Sequence, residues 1–207
     1  MKIKKKVAII DFGMGNIKSV ENILNYFDVK TLIIKKPVEY KSITHLILPG
    51  VGAFNKAMKN LKKNNLDKFL KEIKNKTNIK FLGICIGMQL MCASSSENGL
   101  SHGLNFFNLK VNKFKEKKNF KIPHVGFNNV SFSPNSKLFK NIKNNSDFYF
   151  DHGYKVEYKK NQNISSISYH SEKFISAIEN ENLYCTQFHP EKSQSNGLHL
   201  IYNFLNL

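Results

Sequence analysis

The sequence predicts a single α/β domain over residues 1–207, with a mostly parallel central sheet flanked by helices and an added antiparallel, hairpin-rich region in its second half. Three observations predict it. In the first half, short apolar runs alternate with stretches that repeat at helical spacing, the rhythm of strand–helix–strand units. Those runs are continuous rather than alternating, which suits parallel strands covered on both faces. The second half instead carries alternating or aromatic-rich segments, the pattern of hairpins and sheet extensions. A chain of 207 residues buries one sizeable core, and nothing in its composition marks a second domain.

The elements follow in order. Residues 7–11 read as a strand, 16–26 as a helix capped by Asn16, and 29–34 as a second strand, with a loop through 37–45. His45–Leu48 is a third strand that ends at Pro49-Gly50-Val51-Gly52; apolar residues then recur at helical intervals over 54–62 and 66–75. Lys80–Ile84 is a further strand, and a helix follows from Ile86 to about residue 93. Strands are expected near 108–114, 128–132, 148–158, 165–169, 174–179 and 183–188, a surface loop at 141–145, and a closing helix over 195–204. Ligands in open α/β sheets bind beyond the carboxyl ends of the strands, and the turns at 11–13, 49–52 and Cys85 all fall there.

The formal net charge is +17, a balance that raises nucleic acid or a membrane surface as partners. The basic residues are all lysine, however, and arginine is the side chain that reads base edges and clamps phosphates at two points. A diffuse lysine-coated surface is the simpler account, with the runs at 2–6 and 113–118 as solvated ends and loops. Neither a nucleic-acid nor a membrane partner is expected. No stretch approaches the roughly 20 apolar residues of a membrane span. Cys85, Cys92 and Cys185 are odd in number and lack C-x-x-C spacing, so neither a disulfide framework nor a zinc site is indicated, and a reducing, cytoplasmic setting fits best. Asp11-Phe12-Gly13-Met14-Gly15-Asn16 has two glycines after a strand but lacks the third of a dinucleotide fingerprint. No cofactor and no metal are expected.

The chemistry concentrates at Gly83-Ile84-Cys85-Ile86-Gly87-Met88-Gln89. A cysteine between two glycines, at the junction of a strand and a helix, sits on a sharp turn that exposes its side chain; one glycine permits strained backbone and the other close helix packing. The helix N-terminus behind it favours an anion. A cysteine in apolar sequence is often only a small buried hydrophobe, so the motif alone does not decide. The segment Gln187-Phe188-His189-Pro190-Glu191-Lys192 supplies what a nucleophile needs: His189 to take its proton, and Glu191 two residues on to orient the imidazole. The glycine loop at 50–52 adds an oxyanion hole, with backbone N–H groups of Val51 and Gly52 joined by that of Ile86. Gln89 lies one helical turn beyond Cys85, on the same face, and can contact a substrate beside the thiol. Met88, Leu90, Met91 and Cys92 read as packing. His124 and His152, beside glycines, read as turn or interface residues.

Together, the segments 83–89, 49–54 and 187–193 resemble the triad-type, class I glutamine amidotransferases, whose core is flavodoxin-like. Residues 11–20, Lys121-Ile122-Pro123-His124-Val125-Gly126-Phe127-Asn128 and Tyr149-Phe150-Asp151-His152-Gly153-Tyr154 look more narrowly like the glutaminase subunits of imidazole glycerol phosphate synthase. The resemblance covers essentially the whole chain. It implies that Cys85 attacks the side-chain amide of glutamine, that His189 shuttles the proton and that Glu191 orients His189. It further implies that Gly52, Gln89 and Glu97 contact the substrate. It implies a heterodimer in which Phe127, Asn128 and Lys192 lie near a barrel-type synthase subunit, which receives the ammonia and makes imidazole glycerol phosphate and aminoimidazole carboxamide ribonucleotide for histidine biosynthesis. Two positions depart from the pattern: Phe127 stands where tryptophan is usual, and Asp151-His152-Gly153 replaces Val-His-Ser or Val-His-Thr. These leave open a paralogous role, feeding ammonia to amidinated or amino surface sugars.

Overall fold

The structure is a computed structural model that describes residues 5–76, 78–158 and 165–207; positions 2–4 of the first lysine run lie outside it. Its first half holds β1 (Val7–Ile10), α1 (Ile17–Tyr26), β2 (Thr31–Ile34), β3 (His45–Leu48), α2 (Phe54–Lys63), α3 (Leu66–Lys76), β4 (Lys80–Ile84), α4 (Ile86–Met91) and β5 (Cys92–Ser95). The second half runs through β6 (Ser101–His102), β7 (Phe107–Lys113), β8 (His124–Phe132), β9 (Ser146–His152), β10 (Tyr154–Glu157), β11 (Ser166–His170), β12 (Glu172–Asn180) and β13 (Leu183–Thr186). A 3₁₀ turn, Pro190–Lys192, and α5 (Gln194–Leu205) follow.

Five strands form the parallel core in the order β2-β1-β3-β4-β13. The sheet then continues as β12-β10-β7-β5-β6, with β12 antiparallel to β13 and to β10. A second arm leaves through β11, which pairs with β12 and with β8, and β8 and β9 form a long hairpin. The expectation of a parallel core with an antiparallel extension therefore holds. Its physical basis is visible in the packing: side chains alternate across β1, so Ala8 and Ile10 join the core under α2, α3 and α4, while Val7 and Ile9 join the core under α1 and α5. Both faces are covered, which is why these strands carry continuous apolar sequence. The edge strand β2 is the exception, with Leu32 exposed.

Asn16 caps α1 as expected, its side-chain oxygen accepting from Ser19 N at 3.3 Å. Elsewhere the structure departs from the sequence reading. The helix after Cys85 ends at Met91, not near residue 93, because the small residues Cys92–Ser95 peel off to pair with β7 and β6. The stretch 148–158 is two strands rather than one, broken at Gly153 so that β10 leaves the β8–β9 hairpin and pairs with β7 and β12. The lysine-rich stretch 113–118 is not wholly solvated: Phe114 within it is buried and packs edge-on against Phe174.

Three histidines are buried where only a neutral ring is tolerated. Burial, with smaller contributions from nearby cationic groups, holds His45 and His124 down to about 4 and His152 down to about 3. Unfolding exposes these rings to water, where they titrate near 6.5, so between that pH and about 4 the unfolded chain binds more protons than the folded one. The stability they contribute is complete above pH 6.5 and is lost as pH falls toward 4. Urea titrations should show a midpoint that falls steadily across this window, and a midpoint unchanged from pH 7 to pH 5 would contradict the buried neutral histidines.

Candidate active site

The junction of β4 and α4 carries the nucleophile candidate. Cys85 caps α4 with φ 52° and ψ −107°, a conformation L-residues rarely hold, and its backbone N donates to Thr186 O at 2.7 Å. The strain sits on the cysteine itself. Neither flanking glycine has positive φ, contrary to the expectation that one of them absorbs the turn. Their need is spatial: a Cβ on Gly87 would lie 1.8 Å from the Leu48 carbonyl oxygen, and one on Gly83 would lie 2.7 Å from Met91 Sδ. The two glycines let α4 fold back onto β3 and β4; the thiol sits at the bend but is buried, with Cys85 5% exposed, rather than exposed as the turn led one to expect.

The neighbouring loops close around it. A Cβ on Gly50 would lie 1.9 Å from Ile86 Cγ2, and one on Gly15 would lie 3.2 Å from Gly50 Cα, so the loops after β1 and β3 converge on the start of α4. Gly52 has φ 107°, a conformation that favours glycine. A cavity of about 210 Å³ lies beside the thiol, lined by Val51, Gly52, Cys85, Ile86, Gln89, Glu97, Pro123 and residues 151–154. All three positions expected to build the oxyanion hole, and all three expected to meet substrate, face this one space.

His189 and Glu191 complete the arrangement from the segment that follows β13. His189 Nδ1 lies 2.8 Å from Glu191 Oε1, and both side chains are almost fully buried. With Nδ1 engaged, Nε2 is buried without a hydrogen-bond partner, and Cys85 lies near enough to perturb the ring. Burial pushes the imidazole toward its neutral form, but the Cys85 sulfur and the Glu191 carboxylate outweigh that and raise its pKa to about 10. The pocket therefore favours the imidazolium, the state His189 reaches once it has taken the thiol proton. The thiol proton points at the Asp151 carbonyl, 3.8 Å away, and Gln187 Nε2 donates to Cys85 Sγ at 3.7 Å.

Gln89 is buried, with Nε2 donating to Tyr154 O at 2.9 Å and to Gln187 Oε1 at 3.1 Å, so its amide nitrogen is committed within the protein. Glu97 Oε2 accepts from Phe54 N at 2.7 Å and so caps the start of α2, an anion at a helix N-terminus. Of the residues expected at a partner interface, Phe127 is half exposed on the hairpin and packs edge-on against Tyr149, and Lys192 Nζ lies 5.3 Å over the same Tyr149 ring. Asn128 does not share that face. Its amide turns inward, donating to Tyr169 O at 2.9 Å and to His124 Nε2 at 3.2 Å. Sequence reasoning missed the Asp151 carbonyl, Gln187 as a donor to the thiol, and His152 as a wall of the cavity. Gln187 carried a faint signal, two residues before His189 at the end of a strand. The other two depend on the β9 segment returning to Cys85, which no local pattern announces.

Fold and site together have the form of an α/β enzyme, with a cysteine, a histidine and a glutamate gathered at one cavity. The chain belongs to the class-I glutamine amidotransferase family, whose sequence model matches residues 8–207. Among relatives, it is 44% identical to an imidazole glycerol phosphate synthase subunit HisH 2 from Methanococcus maripaludis, over 96% of this chain and 98% of that one. It is 39% identical to a subunit HisH 1 from Campylobacter jejuni (97% and 100%) and 36% identical to a subunit HisH from Leptospira interrogans (97% and 100%). Among solved structures, PurLQS from Thermotoga maritima superposes with a TM-score of 0.76 at 12% identity, covering 100% of this chain and 99% of that one. A glutamine amidotransferase from the same organism superposes at 0.63 and 16% identity, covering 98% and 83%. At such identities these structures speak to the fold alone.

Two variants test the geometry. Gly87→Ala drives a methyl into the Leu48 carbonyl, so a loss of about 2–4 kcal/mol in unfolding free energy is expected from urea titration. Glu191→Gln removes a carboxylate that holds up the His189 pKa and fixes its tautomer. Glutamine hydrolysis should fall by roughly 10² to 10⁴ while the fold survives, and NMR titration should show His189 giving up its second proton at lower pH than in the wild type.

Proposed function

We propose that this chain is the glutaminase subunit of an imidazole glycerol phosphate synthase, hydrolysing glutamine to glutamate and ammonia and passing the ammonia to a barrel-type synthase subunit in histidine biosynthesis. The observation that carries the reading is the strained Cys85 elbow set against the buried His189–Glu191 pair, in a chain alignable over nearly its full length with HisH subunits. Cys85 sulfur, its proton taken by His189, adds to the side-chain carbonyl carbon of glutamine. The negative oxygen that develops is held by N–H groups of the 51–52 loop and of Ile86. His189 then returns the proton to the departing nitrogen, the C–N bond breaks, and ammonia leaves a glutamyl thioester. Water, deprotonated by His189, adds to the thioester and releases glutamate and the thiol. Gln187 Nε2, donating toward sulfur, steadies the thiolate at both stages.

The ammonia acceptor is the finer part of the reading. Methanococcus maripaludis carries two subunits of this kind, 44% and 40% identical to this chain, so more than one such subunit can coexist in one organism. The full-length identity to HisH subunits favours the histidine pathway; Phe127 and Asp151-His152-Gly153 are where a surface-sugar role would show. The outer face of the hairpin suits a docking surface, with Val125 and Phe127 exposed beside Tyr149.

Glutamate release should be abolished by Cys85→Ala; an alanine variant that still releases glutamate would end the assignment. Phe127→Ala should leave the urea midpoint unchanged while weakening a complex with the synthase subunit by about 5- to 30-fold, read by titration calorimetry, since a half-exposed aromatic contributes little to the isolated fold. The nucleotide acceptor of the histidine pathway should accelerate hydrolysis in that complex.

A further inference from the structure

Behind the catalytic cavity, β8, β9 and β11 bring three histidines together. His124 Nδ1 lies 3.1 Å from His152 Nε2, His152 Nδ1 lies 2.7 Å from Tyr154 O, and Asn128 Nδ2 lies 3.2 Å from His124 Nε2. Each direction is forced. Tyr154 O can only accept, so His152 Nδ1 carries the hydrogen. The neutral His152 ring then offers Nε2 as an acceptor, so His124 must donate from Nδ1 and must accept at Nε2. The donor there is the Asn128 amide nitrogen, whose orientation is fixed because its other hydrogen goes to Tyr169 O and its Oδ1 accepts from Asn129 N at 2.8 Å. The donors run one way, from Asn128 through His124 and His152 to the Tyr154 carbonyl, and every position is filled with both rings neutral.

The end of this chain is a wall of the catalytic cavity. Tyr154 O also accepts from Gln89, Gln89 donates on to Gln187, and Gln187 donates to the Cys85 sulfur. Asp151, one residue before His152, presents the carbonyl that the thiol faces. We propose that Asn128, His124 and His152 form a one-way hydrogen-bond chain that positions the 151–154 wall against Cys85, and that the chain holds only while both rings are neutral Nδ1–H tautomers. A second proton on either ring converts the acceptor nitrogen into a donor facing another donor, and the segment loses its anchor. His124 and His152 are positioning residues, and the kinetic part of this proposal rests on the glutaminase reading above.

The groups around the pair oppose protonation. His170 of β11 stacks on His124 with ring centroids 4.1 Å apart and is itself tied through Nε2 to Lys121 O at 2.8 Å. His189 lies on the cavity side and interacts with His152 as a like charge once protonated. Phe114, Phe150 and Phe174 fill the remaining contacts with the His152 ring. Lys155 of β10 lies over Phe114 and is paired with Glu172 of β12 at 3.5 Å. No carboxylate lies among the hydrogen-bond partners of either ring among the described residues.

Two-bond proton–nitrogen NMR of the wild-type chain, uniformly labelled with nitrogen-15 and assigned through its backbone, reads the tautomers directly. Both His124 and His152 should be neutral Nδ1–H at pH 7 and should stay so at pH 5. A neutral Nε2–H ring or an imidazolium at pH 7 overturns the proposal, whatever the enzyme's activity. His152→Asn keeps a donor for Tyr154 O, whereas His152→Phe keeps none. The asparagine variant should retain kcat/KM for glutamine hydrolysis within about threefold and the phenylalanine variant should lose at least about tenfold, mostly in kcat. Equal activities of the two variants overturn the positioning role. A wild-type chain with no glutaminase activity, alone or with its synthase subunit, would count against the functional reading, while the tautomers would still decide the hydrogen-bond chain.

Discussion

The backbone of Cys85 is the constraint on which the rest of the site depends. A residue held at φ 52° and ψ −107° costs about 1–3 kcal/mol, and such strain persists only where the surroundings over-determine it. Here β4 is locked between β3 and β13 along its length, the Cys85 N–H is fixed by Thr186, and α4 is pressed onto the Leu48 carbonyl through Gly87. The strands that hold the elbow are the ones that deliver its partners. The end of β3 leads into the glycine loop at 50–52, and the end of β13 leads into Gln187 and His189. Cys85, the 50–52 loop and His189 are thus neighbours because their strands are neighbours, although they come from distant parts of the chain.

How much of this could be read from sequence follows from where the determinants lie. The parallel half was legible almost to the residue, since β3 and β4 are apolar runs bounded by turns and α2 and α3 show one apolar face each. That Cys85, His189 and Glu191 come together was legible because such chemistry needs those residue types and because the Glu191 partner is local. What was not legible depends on pairing at long range. The Cys92–Ser95 strand is set by β7, a partner with no sequence signal at that position, so helical continuation looked equally good. The break at Gly153 reflects β10 leaving one hairpin for another. Asp151 contributes only its carbonyl, which every residue possesses, and no motif marks it.

The histidines show the same limit from another side. Read singly, His124 and His152 were turn or interface residues beside glycines; in the fold they face one another across the β8–β9 ladder and share a hydrogen bond. Phe114, hidden in a lysine-rich stretch, packs against both. Charge patterning gave the solvent exposure of its neighbours correctly and hid the one side chain in that stretch that the core requires.

The β8–β9 hairpin carries two different jobs on opposite faces of one ribbon. His124, Asn128, Phe148, Phe150 and His152 point inward, while Val125, Phe127, Tyr149 and Asp151 alternate with them on the outside. Because pleated side chains alternate with a period of two, a single-residue insertion or deletion within either strand would exchange the two sets, turning the histidines out to water and the aromatic surface into the core. A change of length is therefore better tolerated in the exposed parts of the connection between the two strands than inside the ladder, although Leu138 and Phe139 of that connection are themselves buried. The histidine pair and the outward aromatic face are held in phase by a single ladder register.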